Sequence, residues 1–330
     1  MPRAWEVACL GILVADLVAR PVEEIPPPGE LRLVGGMDLC IGGCAASTAA
    51  ALARLGVAVG ALGKVGCDPL GDFLLQALRR DGVDTGAVLR DPAVATSATM
   101  ALVGPTGERC FLHALGGNGA LRREEVSLAQ TGPARVLHVG GTGLLPALDG
   151  APLAALCAEA HGLGMEVSLD TAWDVSGDWT RLLPVLAHVD YFLPSQIEAS
   201  RIFGVTEPPA IAAAALAHGV RAVAVKLGAD GCYVQTADSA GRYLPALRGP
   251  VVDTTGAGDA FCAGFLAASV HGRDPFEAAR LGTAAACMGI SRLGAVAGVG
   301  SWAQALDVLA RGGLPVTPRP ASPTGTAADQ

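Results

Sequence analysis

The chain has 330 residues, of which 51% are hydrophobic and 16% charged, with a formal net charge of −8. That length and apolar content support one large α/β domain with a core built mainly of aliphatic side chains, since aromatics make up only 4%. The acidic balance and the lack of any Lys/Arg run disfavour nucleic acid or anionic membrane as a main partner, and no uninterrupted apolar stretch reaches the roughly 18 residues of a membrane span.

Apolar runs of strand length alternate with longer amphipathic stretches. Val7–Val14 reads as a buried strand, Ala45–Leu55 as a helix ended by Gly56, Val57–Leu62 as a second strand and Pro69–Arg80 as a helix ended near Gly82. Strand Val136–Val139, helix Pro152–His161, strand Glu166–Asp170 and strand Tyr191–Leu193 follow. Helices around Ser195–Phe203 and Ala210–Ala217 lead into strand Ala222–Lys226. This β-α-β-α order predicts a doubly wound, mostly parallel sheet covered by helices on both faces.

Two segments break the rhythm. Leu17–Leu39 is rich in Pro, Gly and Glu, and Ser97–Leu115 reads as two short strands about Gly104-Pro105-Thr106-Gly107. A parallel sheet does not need these pieces, so they are expected to form a small β-sheet lid over the carboxyl ends of the main strands. Lid edges make a homodimer through the lid an expectation as well. Residues 314–330 are Pro/Ser/Thr/Ala-rich and read as a flexible tail after a single domain over 1–313.

The nine cysteines are scattered, with no Cys-x-x-Cys and no Cys/His cluster at zinc spacing. The odd count and the lack of a secretory signal favour reduced thiols and a cytoplasmic location. Cys40 and Cys44 would meet across one helical turn, but Gly42-Gly43 between them argues for a loop.

The stretch Val251–Leu266, VVDTTGAGDAFCAGFL, carries the chemistry. A short apolar strand meets a polar turn, then Gly256-Ala257-Gly258, then Asp259 and an apolar helix with small residues on one face. Small residues let successive backbone N–H groups point into one space at a helix N-terminus, which holds an anion. A carboxylate at Asp259 would repel that anion unless it faces an acceptor hydroxyl and takes its proton during phosphoryl transfer. The plainer alternative, a first-turn Asp making a favourable dipole contact, suits a lone residue better than this whole run.

Here the sequence resembles the PfkB, or ribokinase-like, carbohydrate kinase family, from about Val7 to Trp302. Asp253–Asp259 matches the family's DTxGAGD signature, in which the last Asp is the catalytic base. Gly42-Gly43, Leu55-Gly56, Gly63–Asp68 with Gly71, Gly82–Thr85 and Lys226–Gly231 follow in the family's order. The resemblance implies an ATP-dependent kinase acting on a sugar hydroxyl, with Mg²⁺ as cofactor. It implies sugar contacts from Asp16 and Gly42-Gly43, and from Ser47, where the family usually has Asn. Arg109, on the proposed lid hairpin, would reach substrate or phosphates. Ser195 stands for the usual Asn of Asn-x-x-Glu, and Glu198 is retained to help hold Mg²⁺ through water in the family's manner. Lys226, Gly228, Gly231 and Thr283 would lie against the nucleotide. Some members bind K⁺, and Asp253, Thr255, Gly289, Arg292 and Gly294 would be the equivalents. Members acting on acidic sugars commonly read DPNxR where this chain has Asp170–Asp174; Asp174 in place of that Arg disfavours a carboxylate-bearing substrate. A nucleoside kinase of the same family and a ligand-binding homologue with weakened catalysis remain alternatives. A dinucleotide oxidoreductase is disfavoured because no Gly-x-Gly-x-x-Gly follows the first strand.

Overall fold

The computed structural model describes residues 4–105, 108–132, 134–174 and 176–315. Thr106 and Gly107 of the expected hairpin turn, and the expected tail from residue 316 onward, lie outside the described residues.

Strands with no polar face form the centre of the molecule. Every residue of β1 (Val7–Gly11), β4 (Val59–Gly66) and β8 (Val136–Thr142) is buried, which requires cover on both faces. With β5 (Val88–Asp91), β9 (Glu166–Thr171), β10 (Tyr191–Phe192), β11 (Ala222–Lys226), β12 (Cys232–Thr236) and β13 (Ser239–Leu244) they make a nine-stranded sheet. Its order is β13-β12-β11-β10-β9-β8-β1-β4-β5, parallel except where β12 pairs with β11 and β13. The antiparallel β12–β13 edge goes beyond the strands read from the sequence.

Alternation along β1 shows the two faces. Val7 and Cys9 join the core packed by α1 (Cys44–Arg54), α2 (Pro69–Arg80), α8 (Ala257–Val270), α9 (Pro275–Gly289) and α10 (Trp302–Arg311). Ala8 and Leu10 join the opposite core, packed by α4 (Ala151–Gly162), α5 (Leu183–Leu186), α6 (Gln196–Phe203) and α7 (Pro208–Ala217). A short α3 (Gly116–Ala120) sits beside β4. Local signals set several ends. Asp68 caps α2 by accepting from the Gly71 N–H at 2.8 Å, with Pro69 at the first helical position. No helix among the described residues is long and apolar enough to cross a membrane.

The expected strand Val7–Val14 is corrected: β1 stops at Gly11, and β2 (Val14–Arg20) begins a separate sheet. Both pieces are buried at the junction, so the apolar run continues through the change of direction. Asp16 therefore lies on a strand of the second sheet and not in a loop after the first.

That second sheet is the lid. Strands β2, β3 (Gly36–Gly42), β6 (Ala98–Val103) and β7 (Arg109–Ala114) are ordered β3-β2-β6-β7. It is larger than the expected segments because both ends of Leu17–Leu39 extend into paired strand. The register sets Cys40, Asp16, Thr99 and His113 side by side in one row, and Leu39, Leu17, Met100 and Leu112 in the next. Successive rows point to opposite faces, so one lid face carries Asp16 and the other is apolar, with Met100 43% and Leu112 66% exposed.

Candidate active site

The loop before α8 is held by its own polar groups. The N–H groups of Val252 and Asp253 donate to Ile290 O at 2.8 and 3.2 Å. Asp253 Oδ1 accepts from the Thr255 N–H and hydroxyl at 2.9 and 2.7 Å, and Oδ2 accepts from the Gly294 N–H at 3.0 Å. Burial alone would raise the Asp253 pKa, but the bonds from Thr255 and Gly294, with the Arg109 charge, hold it below the usual value. The first helical turn then starts at Gly256 in the left-handed region, φ 69°, where a Cβ would stand 2.2 Å from Ala295 O. Only glycine fits that corner.

Past the corner, the N–H groups of Gly256, Gly258 and Asp259 find no acceptor among the described residues. The Ala257 N–H instead closes a long turn bond to Thr254 O at 3.3 Å. The expected anion hole of Gly256, Ala257 and Gly258 is thus adjusted: Ala257 stands in the row, but its donor is partly committed to the turn. Unpaired donors at the positive end of α8 are suited to an anion.

Asp259 follows at once, partly buried, with a carboxylate oxygen, Cys44 Sγ and an Asp170 oxygen all within 4.8 Å of one another. Desolvation first, and the neighbouring Asp170 charge second, push its pKa up to about 7, against a smaller lowering by Lys226. Lys226 Nζ donates to Asp170 Oδ1 at 2.7 Å. Neither Asp170 nor Cys44 emerged as a functional residue from the sequence. Asp170 lies next to last in a strand, at the carboxyl end that faces the site, and that position is the one signal that could have marked it.

On the lid side, Asp16 faces Gly42 so closely that a Cβ on Gly42 would lie 2.2 Å from the Asp16 carboxylate. Burial raises the Asp16 pKa to about 6, less a lowering by the Thr99 hydroxyl. Gly43 starts α1, and Ser47 one turn on is 1% exposed, its hydroxyl without a partner among the described residues. From β7, Arg109 donates to the hydroxyls of Thr255 and, at 2.6 Å, Thr254, and its guanidinium lies 3.1 Å from Asp253. Arg109 is thereby placed on the loop before α8, tying the lid to it.

Beside the α8 N-terminus opens a cavity of about 580 Å³ whose lining includes Lys226, Gly228, Gly231, Gly258, Phe261 and Thr283. It gathers four of the residues expected against the nucleotide. Ser195 does not line it. Its hydroxyl caps α6 and donates to Glu198 Oε2 at 2.6 Å, and Thr171 donates to the same oxygen at 2.7 Å. The Ser-x-x-Glu spacing is itself a capping-box signature, a structural role not anticipated for the pair. Gly289 ends α9 and its carbonyl accepts a long bond from Arg292 N–H at 3.5 Å, beside the Asp253–Gly294 contact. Asp253 already has the Arg109 cation for company there.

The sequence profile described as the pfkB family carbohydrate kinase matches residues 5–301. The chain belongs to this family. An uncharacterized sugar kinase of Archaeoglobus fulgidus is 32% identical over 75% of this chain and 97% of its own length. Among solved structures, an Arabidopsis thaliana ribokinase complexed with ribose and ATP superposes with TM-score 0.80 at 24% identity, covering 93% of this chain and 99% of that one. A putative ribokinase II from E. coli in complex with ATP and Mg²⁺ gives 0.79 at 22%, covering 93% and 99%. At those identities the structural matches establish the fold, the ribokinase-like arrangement of large sheet and lid. The pfkB kinase core thus spans nearly the whole chain.

Proposed function

We propose that this pfkB kinase transfers the γ-phosphoryl group of ATP to a hydroxyl of a small neutral sugar, within one catalytic unit over residues 1–313. Asp259 is the general base. It takes the acceptor proton as the acceptor oxygen forms its bond to phosphorus, the bond to the β-phosphate oxygen breaks, and ADP leaves. The amides about Gly256 and Gly258 receive the charge on the phosphoryl group in transfer. One observation carries the reading: the Asp259 carboxylate stands beside unpaired helix-start amides, and Gly258 also lines the 580 Å³ cavity. Lys226, Gly228, Gly231 and Thr283 are its nucleotide wall.

Asp16, Gly42, Gly43 and Ser47 form the sugar side. A carboxylate accepting two hydroxyls suits a diol, and the Ser47 hydroxyl, without a partner among the described residues, offers a third contact. Asp174 and Arg181 support a neutral substrate: they pair at 3.0 Å, and Arg181 also faces Asp149 at 3.5 Å, so that cation is already matched. Glu198 fits a Mg²⁺ role because the hydroxyls of Ser195 and Thr171 both donate to one oxygen, Oε2. When bound, the metal supplies charge neutralisation at the phosphates, and one carboxylate with waters suffices to hold it. A K⁺ role for Asp253, Thr255, Gly289, Arg292 and Gly294 rests only on their proximity, and ADP release in K⁺ against Na⁺ buffers tests it.

A nucleoside acceptor is the second reading. Phe111 is 58% exposed and sits two residues from His113, on the lid face that carries Asp16, where it would stack on a base. ADP release by the full chain with ATP, Mg²⁺ and a panel of D-ribose, D-fructose, 2-keto-3-deoxygluconate and adenosine separates the readings. Turnover with a neutral sugar supports the first and preference for adenosine the second. Preference for the acid sugar, or no turnover at all, overturns both.

A further inference from the structure

Asp170 is next to last in β9, at its carboxyl end, and is 2% exposed. Its Oδ1 accepts from Lys226 Nζ at 2.7 Å and its Oδ2 from Cys262 Sγ at 3.4 Å. Lys226 Nζ lies 3.8 Å from Cys262 Sγ. A Cβ at Gly258 would stand 3.1 Å from that same Nζ. The ammonium is therefore seated against the missing side chain of an anion-hole residue, in the wall of the nucleotide cavity.

Resting on the kinase reading above, we propose that Asp170 is a positioning residue that pins the Lys226 ammonium beneath Gly258, as a fixed positive charge for the phosphoryl group in transfer. A lysine stem is long and flexible, and ordering it costs side-chain entropy. A buried ion pair is a poor device for stability alone, because desolvation offsets most of the attraction. The same pair is a good device for placing a charge, since a charge already in position needs no reorganisation when the phosphoryl group passes. Missing side-chain volume at Gly258 gives the ammonium its path to the ligand.

The charges around Asp259 set the sign of the pH effect. Asp170 from β9 and Asp16 from the lid are negative, and Lys226 from β11 is positive. Cys44 from α1 and Cys262 from α8 have pKa values pushed far up by burial first and the nearby carboxylates second, so both stay neutral thiols. Glu198 from α6 acts on Lys226 and Cys44 from farther off. Asn at position 170 removes one negative neighbour and leaves Lys226 positive. Losing that negative neighbour while the positive one stays favours the ionised base, so the acid limb of kcat moves to lower pH.

The test uses the full chain with saturating ATP and Mg²⁺, and the panel acceptor that the wild-type protein turns over fastest. Asp170→Asn is expected to lower kcat about ten-fold or more, with KM for ATP within about three-fold, and to move the acid limb down. Lys226→Met lowers kcat similarly, and the double variant falls no further than the deeper single, because the two residues act as a unit. A kcat within two-fold of wild type for Asp170→Asn with an unmoved limb overturns the proposal, as do multiplied losses in the double variant. If Asp170→Asn does not fold, adding it to Lys226→Met removes both buried charges together. A further loss of less than two-fold on that background supports the pair, and a further ten-fold loss overturns it. A wild-type protein idle toward every acceptor defeats the kinase reading itself, an outcome separate from any failure among the variants.

Discussion

The Arg109 guanidinium on the lid lies 3.1 Å from the Asp253 carboxylate on the loop that leads into α8, so this ion pair ties the lid to the start of that helix. Both side chains are less than a fifth exposed, at 18% and 16%. A pair this sheltered is screened less than a surface pair. Arg109→Ala is expected to raise the acceptor KM about ten-fold and to speed amide exchange in β7 by a similar factor, with exchange in β8 unchanged. Hydrogen-exchange mass spectrometry with steady-state kinetics checks both halves.

Replacing the base is expected to slow the reaction and strengthen the protein. Asp259→Asn should lose about 10²- to 10⁴-fold in kcat while ATP still binds. The folded-state pKa near 7 lies above the unfolded value of about 3.9. The folded protein therefore binds the extra proton between those pH values, and stability contributed by the protonated group is lost as pH rises through 7. Asn at 259 removes that loss, so its melting temperature at pH 8 should exceed wild type by roughly 2–5 °C, with the gap closing toward pH 4. In the wild type, kcat should rise with pH through about 7. Full turnover in the variant would remove Asp259 from the chemistry.

Ser47 separates binding from folding. Its hydroxyl is buried and has no partner among the described residues, so Ser47→Ala should leave stability within about 0.5 kcal/mol. The acceptor KM should nonetheless rise about five-fold or more, with KM for ATP unmoved. Calorimetry and kinetics on the same sample decide it, and an unchanged acceptor KM would take Ser47 out of the substrate site.

Glu198→Gln keeps the reciprocal cap with Ser195, because Gln serves at that helical position as well as Glu. The melting temperature should stay within about 2 °C. The Mg²⁺ concentration giving half-maximal rate should rise about ten-fold with the loss of the charge. Titrating MgCl₂ at fixed ATP measures it, and an unshifted midpoint would confine Glu198 to capping.

The apolar lid face supports the expected dimer. Leu112→Lys, at a site 66% exposed, should convert a dimer to monomer in sedimentation velocity without unfolding the chain. A wild-type chain that sediments as a monomer would remove the dimer.

Much of this architecture was legible in the sequence, for identifiable reasons. Helix α2 reads directly, because Asp68, Pro69 and the following apolar spacing are local signals. Strand β11 reads as a run of apolar residues of strand length. The split between β1 and β2 does not, since Ile12, Leu13 and Val14 stay buried through the turn and keep the apolar run unbroken. In the site, the DTTGAGD run is legible because a sharp corner, free amides and a carboxylate need adjacent residues. Asp170 with Lys226, 56 positions apart, leaves no such trace, because strand order alone brings them together.

The rung of Cys40, Asp16, Thr99 and His113 lies one residue from the rung of Leu39, Leu17, Met100 and Leu112. Deleting a single residue inside β2 would therefore turn a leucine onto the face that now carries Asp16 and send the aspartate to the opposite side. Within β2 and β3 that parity confines changes of length to their connecting loop, where the chain can lengthen or shorten without inverting the two faces of the lid.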